Sequence, residues 1–370
     1  MTTAVVVAAR RTPIGTAGHA LAALTVTDLA APVLRALTPL GRPAPDDVIL
    51  GNCLGPGGNP ARIAALAAGL GTDVPGVTVD RQCGSGLDAV LQGAARITAG
   101  QADVVVAGGV ESASTAPHRS WPTTGHRYRR APFTPAGFPD PEMGTAADDL
   151  ARDLGISRAD HDAWAARSFA RAVAAQRNGT FDAELVPLDP LTDDERPRPG
   201  FTPARLARLR PAFSAAGTHT AGNSCGISDG AAALTLTSDD LARDRPRLRI
   251  LGGAVRGCDP ALPGLGPTAA VPGLLRRLGL TTADLGAVEI TEAFAAQVLA
   301  AVRTLDLDPD TVCADGGAIA MGHPLGATGA ILVVRLFHRM LRPLGPEFGL
   351  AAGAVGGGQG IALVVQRVAP

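Results

Sequence analysis

"VTVDRQCGSGLDAV", residues 77–90, joins an extended run to a helical run through a loop that carries Cys83. The segments around it alternate in the order strand-like 46–53, helical 59–70, helical 86–100 and strand-like 102–109. Alternation of apolar β-type runs with helical runs is typical of layered α/β folds. The sequence therefore predicts an α/β fold, with Cys83 placed just before a helix.

The same order of segments recurs near the C-terminus. It reads as strand-like 285–290, helical 291–305, helical 329–341 and strand-like 348–355. A glycine-rich loop precedes the second helix, and it carries His323 at the place equivalent to Cys83. The order of strands and helices repeats, but the amino-acid sequence does not. If the two halves pack about a pseudo-two-fold axis, the loops of Cys83 and His323 face each other.

Composition narrows the class of protein. The chain has 370 residues, 46% hydrophobic and 18% charged, which is a globular composition, and its net charge of −1 indicates no nucleic-acid or membrane-surface partner. Its five cysteines show no CxxC spacing, which argues against structural zinc and a disulfide framework and fits the reducing cytoplasm. No apolar run approaches the roughly 20 residues of a membrane span. The N-terminal apolar run is interpreted as a first strand rather than a signal peptide.

The region between the halves, residues 111–223, has a different character. Residues 118–142 are rich in proline, arginine and aromatic residues without periodicity, which predicts a long loop. Two helical stretches follow, around 157–178 and 202–209. We interpret this region as an inserted lid that carries a substrate pocket.

Two loops contain candidate catalytic side chains. "CGSG" (83–86) opens a helix whose first-turn amides favour a thiolate and would lower the pKa of Cys83. The alternative is a buried residue at a helix start. "GGAIAMGHPLGATG" (316–329) holds His323 in a Gly–His–Pro turn, and the alternative there is an ordinary hydrogen-bonded loop histidine.

Two further patterns lie close to these loops in the repeat. "GAVGGGQG" (353–360) presents successive bare amides suited to an oxyanion, or else forms a tight turn between the last two strands. "TEAFAAQ" (291–297) is typical of an ordinary helix start, with Thr291 as cap and Glu292 in the first turn. Each pattern alone is compatible with a purely structural role, so the order and spacing of all four carry the functional argument.

These motifs together resemble those of the thiolase family, over almost the whole chain. The matching stretches are "RTPIG" (11–15), "GNPAR" (58–62), "CGSG" (83–86), "AGGVESAS" (107–114), "GTHTAGNSCGISDGAA" (217–232), "TEAFA" (291–295), "GGAIAMGHPLGATG" (316–329) and "GGGQG" (356–360). The resemblance implies a thiolase-like five-layer αβαβα fold of two similar halves. It also implies an N-terminal half at 1–112 with 224–245 returning to it, an inserted CoA-binding loop domain at 113–223, a C-terminal half at 246–370, and a homodimer or homotetramer.

The resemblance also assigns roles to residues. Cys83 would be the nucleophile that takes an acyl group, and His323 would activate it and point a donor at the thioester oxygen. The backbone amides of Cys83 and Gly356 would form an oxyanion hole. Thr291 replaces an asparagine that holds a water at the enolate oxygen. Phe294 would wall the pocket. Residues at positions where the family contacts coenzyme A are Met143, Arg198 (at a phosphate), Leu209, Phe213, Ala221, Gly222 and Cys225.

The chain also departs from the family at the position of a second catalytic cysteine. Most thiolases have a second cysteine two residues before the GGG, which moves the α-carbon proton, and this chain has Ala354 there. A methyl group cannot transfer a proton, so acyl transfer to Cys83 has all its parts while carbon–carbon chemistry lacks one. Cys225 is a hypothetical replacement. The alternative is that Cys225 is a simple exchange of one small residue for another.

The sequence is compatible with two classes of function. The first is an acyltransferase that cleaves 3-oxoacyl-CoA with a thiol or runs the reverse Claisen condensation. The alternative is an atypical member that transfers or hydrolyses an acyl group, or performs retro-Claisen cleavage, on a carrier-protein thioester. The second class is a thioester-binding or scaffolding subunit with little catalysis. The resemblance implies no permanently bound cofactor and no metal, with coenzyme A or acyl-CoA as substrate.

Overall fold

The computed structural model describes residues 2–37, 44–128 and 130–369. The strands are β1 Ala4–Arg11, β2 Gly15–Thr16, β3 Asp47–Gly51, β4 Gly76–Val79, β5 Val104–Glu111, β6 Arg119–Ser120, β7 Arg127–Tyr128, β8 Ser228–Ser238, β9 Arg247–Gly257, β10 Leu285–Ile290, β11 Phe348–Val355 and β12 Gln359–Val368. The helices are α1 Val26–Leu37, α2 Pro60–Ala67, α3 Ser85–Thr98, α4 Met143–Asp153, α5 Arg158–Arg177, α6 Pro203–Leu206, α7 Gly266–Leu278, α8 Ala295–Thr304, α9 Ala318–Met321 and α10 Leu325–Met340.

The main sheet repeats one pattern of strands twice. Its order is β10-β11-β12-β9-β1-β8-β5-β3-β4. In the N-terminal half β3 runs parallel to β4 and β5, and β8 and β1 follow antiparallel. In the C-terminal half β10 runs parallel to β11, and β12 and β9 follow antiparallel. A parallel bridge from Val288 to Val312 stands where β4 would be. The repeat of architecture predicted from the sequence is confirmed.

Helices separate the two halves and cover their outer faces. α3 and α10 pack on each other in the middle; α3 covers strands of the N-terminal half, while α10 also contacts β10 and β11 of the C-terminal half. α1 and α2 cover the outside of the first half, and α7 covers the outside of the second. The result is the five-layer α/β arrangement. Nearly every residue of α10 is buried, which suits a helix with protein on all sides.

The two central helices touch backbone to backbone near their N-termini. A Cβ added to Gly86 would lie 2.8 Å from the Gly326 oxygen and 2.8 Å from the Ala330 nitrogen. A Cβ on Gly329 would likewise collide with the Leu87 backbone. Glycine is therefore required here for close approach rather than for an unusual backbone angle. This contact fixes the start of α3 beside the start of α10.

The segment between β5 and β8 holds the hairpin β6–β7 and the helices α4, α5 and α6. The stretch 118–142 was predicted as a loop and does contain irregular structure, with the short hairpin in addition; its residue Arg129 lies outside the described residues. α5 begins at a capping box formed by Ser157 and Asp160. Arg11 of β1, which is fully buried, holds this segment through Glu184 and Asp194.

Candidate active site

Cys83 sits in a tight turn that enters α3. The preceding residue, Gln82, has a φ of 46°, in the left-handed region that non-glycine residues seldom adopt. The Ser85 hydroxyl donates to the Gln82 oxygen at 2.7 Å and accepts from the Arg81 nitrogen at 2.7 Å, which holds this turn. The Cys83 thiol is free and half-buried. The turn therefore offers the sulfur to a ligand from the start of the helix.

The pKa of Cys83 differs from the expectation based on its helix start. Burial raises it to about 11, while the backbone N–H groups of Cys83 and Gly356 partly offset that effect and nearby Glu111 adds to it. The predicted lowering by the helix N-terminus is wrong for the free protein, because desolvation of the thiolate outweighs the backbone N–H groups that favour it. Cys83 is consequently a thiol at neutral pH and needs a base.

His323 lies between α9 and α10, and its backbone fixes it against the segment before β8. The His323 N–H points at the Gly226 oxygen at 3.0 Å and at the Ser228 hydroxyl at 3.2 Å. His323 immediately precedes Pro324, and α10 starts at Leu325. Since Gly326 and Gly86 meet in the helix contact, the loops of Cys83 and His323 enter the same region, as the repeat predicts.

The protonation state of His323 follows from its hydrogen bonds. Its Nδ1 lies 2.6 Å from the Thr328 hydroxyl, and that hydroxyl donates to the Pro324 oxygen at 3.0 Å. A hydroxyl has one proton, so Nδ1 must be the donor and Nε2 carries a bare lone pair. Nε2 is buried and has no hydrogen-bond partner among the described residues, and burial lowers the pKa of His323 to about 4. The imidazole is thus neutral, with a lone pair on Nε2 that is free to accept a proton.

The turn between β11 and β12 is the third loop that borders the site, after the loops of Cys83 and His323. A Cβ on Gly84 would lie 2.8 Å from a Val355 methyl group, so this turn packs directly on the Cys83 loop. The Gly356 N–H favours the Cys83 thiolate, as noted above. Gly356 also packs against the ring of Phe133, because a Cβ added to Gly356 would lie 2.6 Å from that ring. Cys83 and Gly356 are therefore brought together, as the oxyanion-hole prediction requires.

The TEAF stretch is not the start of a helix. α8 begins at Ala295 with Phe294 as its N-cap residue, so the prediction of Thr291 as cap and Glu292 in the first turn is wrong. The buried Glu292 carboxylate accepts from the Trp164 indole at 2.7 Å and the Ser168 hydroxyl at 2.7 Å. Residues 291–293 have no regular secondary structure, and these bonds hold Glu292 against α5. The Thr291 hydroxyl faces Gly353, where an added Cβ would be 3.2 Å away.

The residues 223–228 join the TEAF stretch to the His323 loop. The Cys225 N–H donates to the Ala293 oxygen at 2.9 Å, and the Ala295 N–H donates to the Asn223 oxygen at 3.0 Å. The next residue along, Gly226, accepts from His323. Cys225 therefore lies between the two loops, close to the reaction centre rather than on an outer arm.

An apolar strip leads outward from Phe294. The Phe294 ring meets the Phe213 ring edge-on with centroids 5.6 Å apart, and Phe213 packs on Gly144 at the start of α4, next to the half-buried Met143. Leu209, 37% exposed, lies against Gly222, and Ala221 beside it is exposed. Arg198 is exposed and makes no hydrogen bond or ion pair with the rest of the described chain. The strip thus comprises six of the predicted residues, and Arg198 is not part of it.

Several residues around the site were missed by sequence reasoning. Thr328 lies one helical turn after Pro324, a spacing that could have shown it facing back to His323. Glu111 sits in "AGGVESAS", and its buried carboxylate accepts from Gly326 N at 2.9 Å and Cys53 N at 3.1 Å. Burial raises the pKa of Glu111 to about 6. Phe133 and Arg196 had no local signal, because their contacts here are far away in sequence.

Two negative findings concern the described residues alone. In the ranges 2–37, 44–128 and 130–369, no group of three or more His, Cys, Asp or Glu side chains is arranged to hold a metal ion. Within the same ranges, no helix combines the length and apolarity that crossing a membrane requires.

Comparison with known proteins agrees with the geometry. The family model described as "Thiolase, N-terminal domain" matches residues 4–240, and "Thiolase, C-terminal domain" matches residues 244–367. A probable acetyl-CoA acyltransferase of Staphylococcus aureus (strain COL) is 41% identical, with 99% of this chain and 100% of the relative covered. An acetyl-CoA acetyltransferase of Chromobacterium violaceum is 42% identical, with 98% and 99% covered.

Solved structures show the same likeness. The crystal structure of the Bacillus anthracis acetyl-CoA acetyltransferase has a TM-score of 0.93 at 39% identity, covering 100% of this chain and 99% of its own. The human mitochondrial 3-ketoacyl-CoA thiolase has a TM-score of 0.90 at 35% identity with the same coverage. Both family models, these relatives and the shared fold lead to one conclusion: the chain belongs to the thiolase family of acyl-CoA acyltransferases.

Proposed function

We propose that the chain cleaves 3-oxoacyl-CoA with coenzyme A, or runs the reverse Claisen condensation, through an acyl-enzyme on Cys83. The observation that supports this most directly is the convergence at the contact of α3 with α10. There a free thiol, an imidazole with a bare Nε2 and the Gly356 N–H occur together. This set is what nucleophilic acyl transfer requires.

The first half of the reaction uses these groups in turn. His323 Nε2 takes the Cys83 proton as the sulfur attacks the 3-oxo carbonyl carbon. The developing oxyanion is stabilised by the backbone N–H groups of Cys83 and Gly356. His323, now carrying a proton on Nε2, becomes a donor that a substrate oxygen can use. The C2–C3 bond then breaks, which leaves an acyl group on Cys83 and an acetyl-CoA enolate.

Coenzyme A is assigned to the apolar strip. We propose that its pantetheine arm follows Phe294, Phe213, Met143 and Leu209, past Ala221 and Gly222, because this surface is apolar and partly exposed. Arg198, which is exposed and unpaired in the described chain, would meet a phosphate of the nucleotide end. Thr291 would support the enolate oxygen.

We propose the following division of the chain: 1–112 with 224–245 as the first half, 113–223 as the CoA-binding insertion and 246–370 as the second half. The antiparallel pairing of β8 with β1 and β5 supports the return of 224–245 to the first half. Residues 1, 38–43, 129 and 370 of these ranges lie outside the described residues. We also propose that the chain forms a homodimer or homotetramer. A carrier-protein thioester is the alternative acyl donor.

Intact-mass spectrometry tests the acyl-enzyme directly. The protein is incubated with acetoacetyl-CoA, and separately with acetyl-CoA, then quenched in acid. We expect an acetyl adduct in the parent and in Cys258→Ala, because Cys258 has no interaction with Cys83. Cys83→Ala should show none. An adduct that persists in Cys83→Ala, or no adduct with either thioester, would overturn the proposal, and the second result would favour a scaffolding subunit.

A further inference from the structure

The proposed reaction moves two protons, and only one has been assigned so far. When the C2–C3 bond breaks, its electron pair stays on C2 as an enolate, and C2 must then gain a proton. In the condensation direction the same carbon must lose one. Ala354 offers only a methyl group at the turn beside Gly356. The donor must be another group near Cys83.

Most titratable groups around Cys83 are already committed. Glu111 accepts from the nitrogens of Cys53, Leu54 and Gly326 and from the Asn52 amide. The Cys53 thiol donates to the Gln82 oxygen at 3.0 Å, behind the catalytic turn. Glu292 is occupied by three donors from Trp164, Ser168 and Ile319.

His323 does not serve both purposes at once. Its Nδ1 proton is held by Thr328, which leaves Nε2 as the single exchangeable position. Nε2 takes the Cys83 proton when the sulfur attacks, and it keeps that proton while the acyl group is on Cys83. The histidine is 3% exposed, and Nε2 has no partner in the described part of the chain. The enolate therefore needs a second proton carrier beside it.

Cys225 is in the position to be that carrier. Its backbone is bonded to Ala293 on one side, and through Gly226 to His323 on the other. Its thiol is free, half-buried, and makes no hydrogen bond with any other described residue. Burial raises the pKa of Cys225 to about 12, and the charge of Cys83 is the next cause. The charge of Cys83 thus affects the pKa of Cys225, whereas it does not affect the pKa of Cys258.

Arg196 lies beside the Cys225 segment, and it is unusual for a partly buried arginine because it lacks an ion-pair partner among the described residues. Its guanidinium packs against Gly226, the residue next to Cys225. Its Nε is buried without a hydrogen-bond partner, and no carboxylate pairs with it among the described residues. Burial lowers the pKa of Arg196, and the interaction with the Cys225 thiolate opposes that. An unpaired cation beside a thiol is the arrangement that stabilises a thiolate.

We propose that Cys225 is the catalytic residue that carries the α-carbon proton, and that Arg196 is the positioning residue that stabilises its thiolate. The inference rests on the proposed function. In cleavage, the S–H bond of Cys225 breaks, its proton goes to C2, and acetyl-CoA leaves. The Cys225 thiolate regains a proton from solvent, and coenzyme A enters as its thiolate after losing its thiol proton to solvent. The coenzyme A thiolate attacks the acyl group on Cys83, the Cys83–acyl bond breaks, and the His323 proton returns to Cys83.

Two half-reactions separate this role from the role of Cys83. Acyl exchange between acetyl-CoA and isotopically labelled coenzyme A needs only Cys83 and His323. Exchange of the acetyl-CoA methyl hydrogens with D2O needs the α-carbon acid/base. We expect Cys225→Ala and Cys225→Ser to keep acyl exchange within about threefold of the parent, while methyl exchange and thiolysis fall about 10²- to 10⁴-fold. Cys258→Ala should keep both.

The outcomes distinguish the two proposals. Retained acyl exchange also shows that the variants are folded. If methyl exchange in Cys225→Ala equals that of the parent, the inference is wrong while the proposed function stands. If acyl exchange and methyl exchange fall together in both Cys225 variants, Cys225 is structural and the inference is again wrong. If the parent itself shows no acyl exchange, the proposed function has failed.

The role of Arg196 is tested by removing its positive charge and then restoring it. We expect Arg196→Met to lower methyl exchange about tenfold with acyl exchange unchanged, and Arg196→Lys to restore most of it, because one pKa unit at the thiol is a factor of ten in thiolate. In a Cys83→Ala background, alkylation of Cys225 by iodoacetamide should slow in parallel with Arg196→Met and recover with Arg196→Lys. Equal alkylation rates in all three, or no rescue by lysine, would exclude the charge effect.

Discussion

At the residue scale, the chemistry of His323 depends on the hydroxyl of Thr328. Thr328→Val removes the acceptor that the described residues offer to the Nδ1 proton and leaves a buried donor unpaired, so the ring can adopt the other tautomer. We expect the rate of Cys83 acylation, measured by rapid quench and intact mass, to fall about 10- to 100-fold, since small misplacements of a catalytic group have effects of this size. Thr328→Ser keeps the hydroxyl and should stay within about threefold. A parent-like rate in Thr328→Val would contradict the assigned tautomer.

The reactivity of Cys83 should depend on pH with a definite sign. Burial raises its pKa to about 11, so the thiolate is a small fraction at pH 7 and grows as pH rises. Alkylation of Cys83 by iodoacetamide, followed by peptide mass spectrometry, should accelerate about tenfold per pH unit from pH 7 to 9.5, without levelling off. Cys258, which is more exposed to solvent, is the internal comparison. A plateau below pH 8 would show a thiolate stabilised in the free protein.

Residue 354 should be interchangeable with residue 225 if both face the same carbon. In the double variant Cys225→Ala/Ala354→Cys, we expect exchange of the acetyl-CoA methyl hydrogens to rise at least tenfold above that of Cys225→Ala, since a positioned acid/base contributes about 10²- to 10⁴-fold. The side chain at 354 is half-buried and lies two residues before Gly356. NMR of acetyl-CoA in D2O measures the rate. An unchanged low rate would show that position 354 does not face the α-carbon in this chain.

At the element scale, the contact of α3 with α10 aligns the two catalytic loops. Gly86→Ala places a methyl group 2.8 Å from two backbone atoms of α10, which cannot rotate away as a side chain could. Overpacking of this kind costs about 1–3 kcal/mol. We expect that loss of stability in urea unfolding, with a fall of more than tenfold in Cys83 acylation as the helix starts separate.

The matched control for Gly86→Ala lies in another helix. Gly273 is inside α7, and a Cβ there meets nothing within 4 Å. Gly273→Ala should therefore stabilise the protein by about 0.5–1 kcal/mol, because alanine has the higher helix propensity, and acylation should not change. If Gly86→Ala acylates at the parent rate, the helix contact does not set the catalytic geometry.

Elements with a strong local pattern could be predicted from the sequence, and those held by distant partners could not. The strands at 285–290 and 348–355 match β10 and β11 because buried apolar runs bounded by turns are local signals. The sequence predicts a helix from Thr291, whereas α8 begins only at Ala295, because Glu292 is held by Trp164 and Ser168, more than a hundred residues away. Tertiary hydrogen bonds to a buried carboxylate outweigh the helix propensity of the segment.

At the scale of the whole molecule, the repeat predicts that the loops of Cys83 and His323 face each other. The strand order repeats in the two halves, and Gly86 of α3 meets Gly326 of α10, so the two loops enter the same region. The wall of the site could not be predicted in the same way. Phe133 covers Gly356, and Arg196 packs at Gly226 from a segment with no periodicity. Such contacts depend on how the inserted segment is anchored to the sheet, and the pairing of a buried arginine with its carboxylates is not readable from a single sequence.

That anchor is the fully buried Arg11, whose guanidinium bonds both Asp194 oxygens, at 2.6 and 2.9 Å, and Glu184 at 2.8 Å. Arg11→Met leaves two buried carboxylates unpaired, so we expect a loss of about 3–5 kcal/mol in urea unfolding. Arg152→Met, which breaks an exposed ion pair with Asp149, should leave the urea midpoint unchanged. Because Arg196 follows Asp194 by two residues, methyl exchange should fall more than acyl exchange in Arg11→Met under conditions where it is folded. Equal falls in both would show that the anchor supports the whole site rather than the Cys225 side of it.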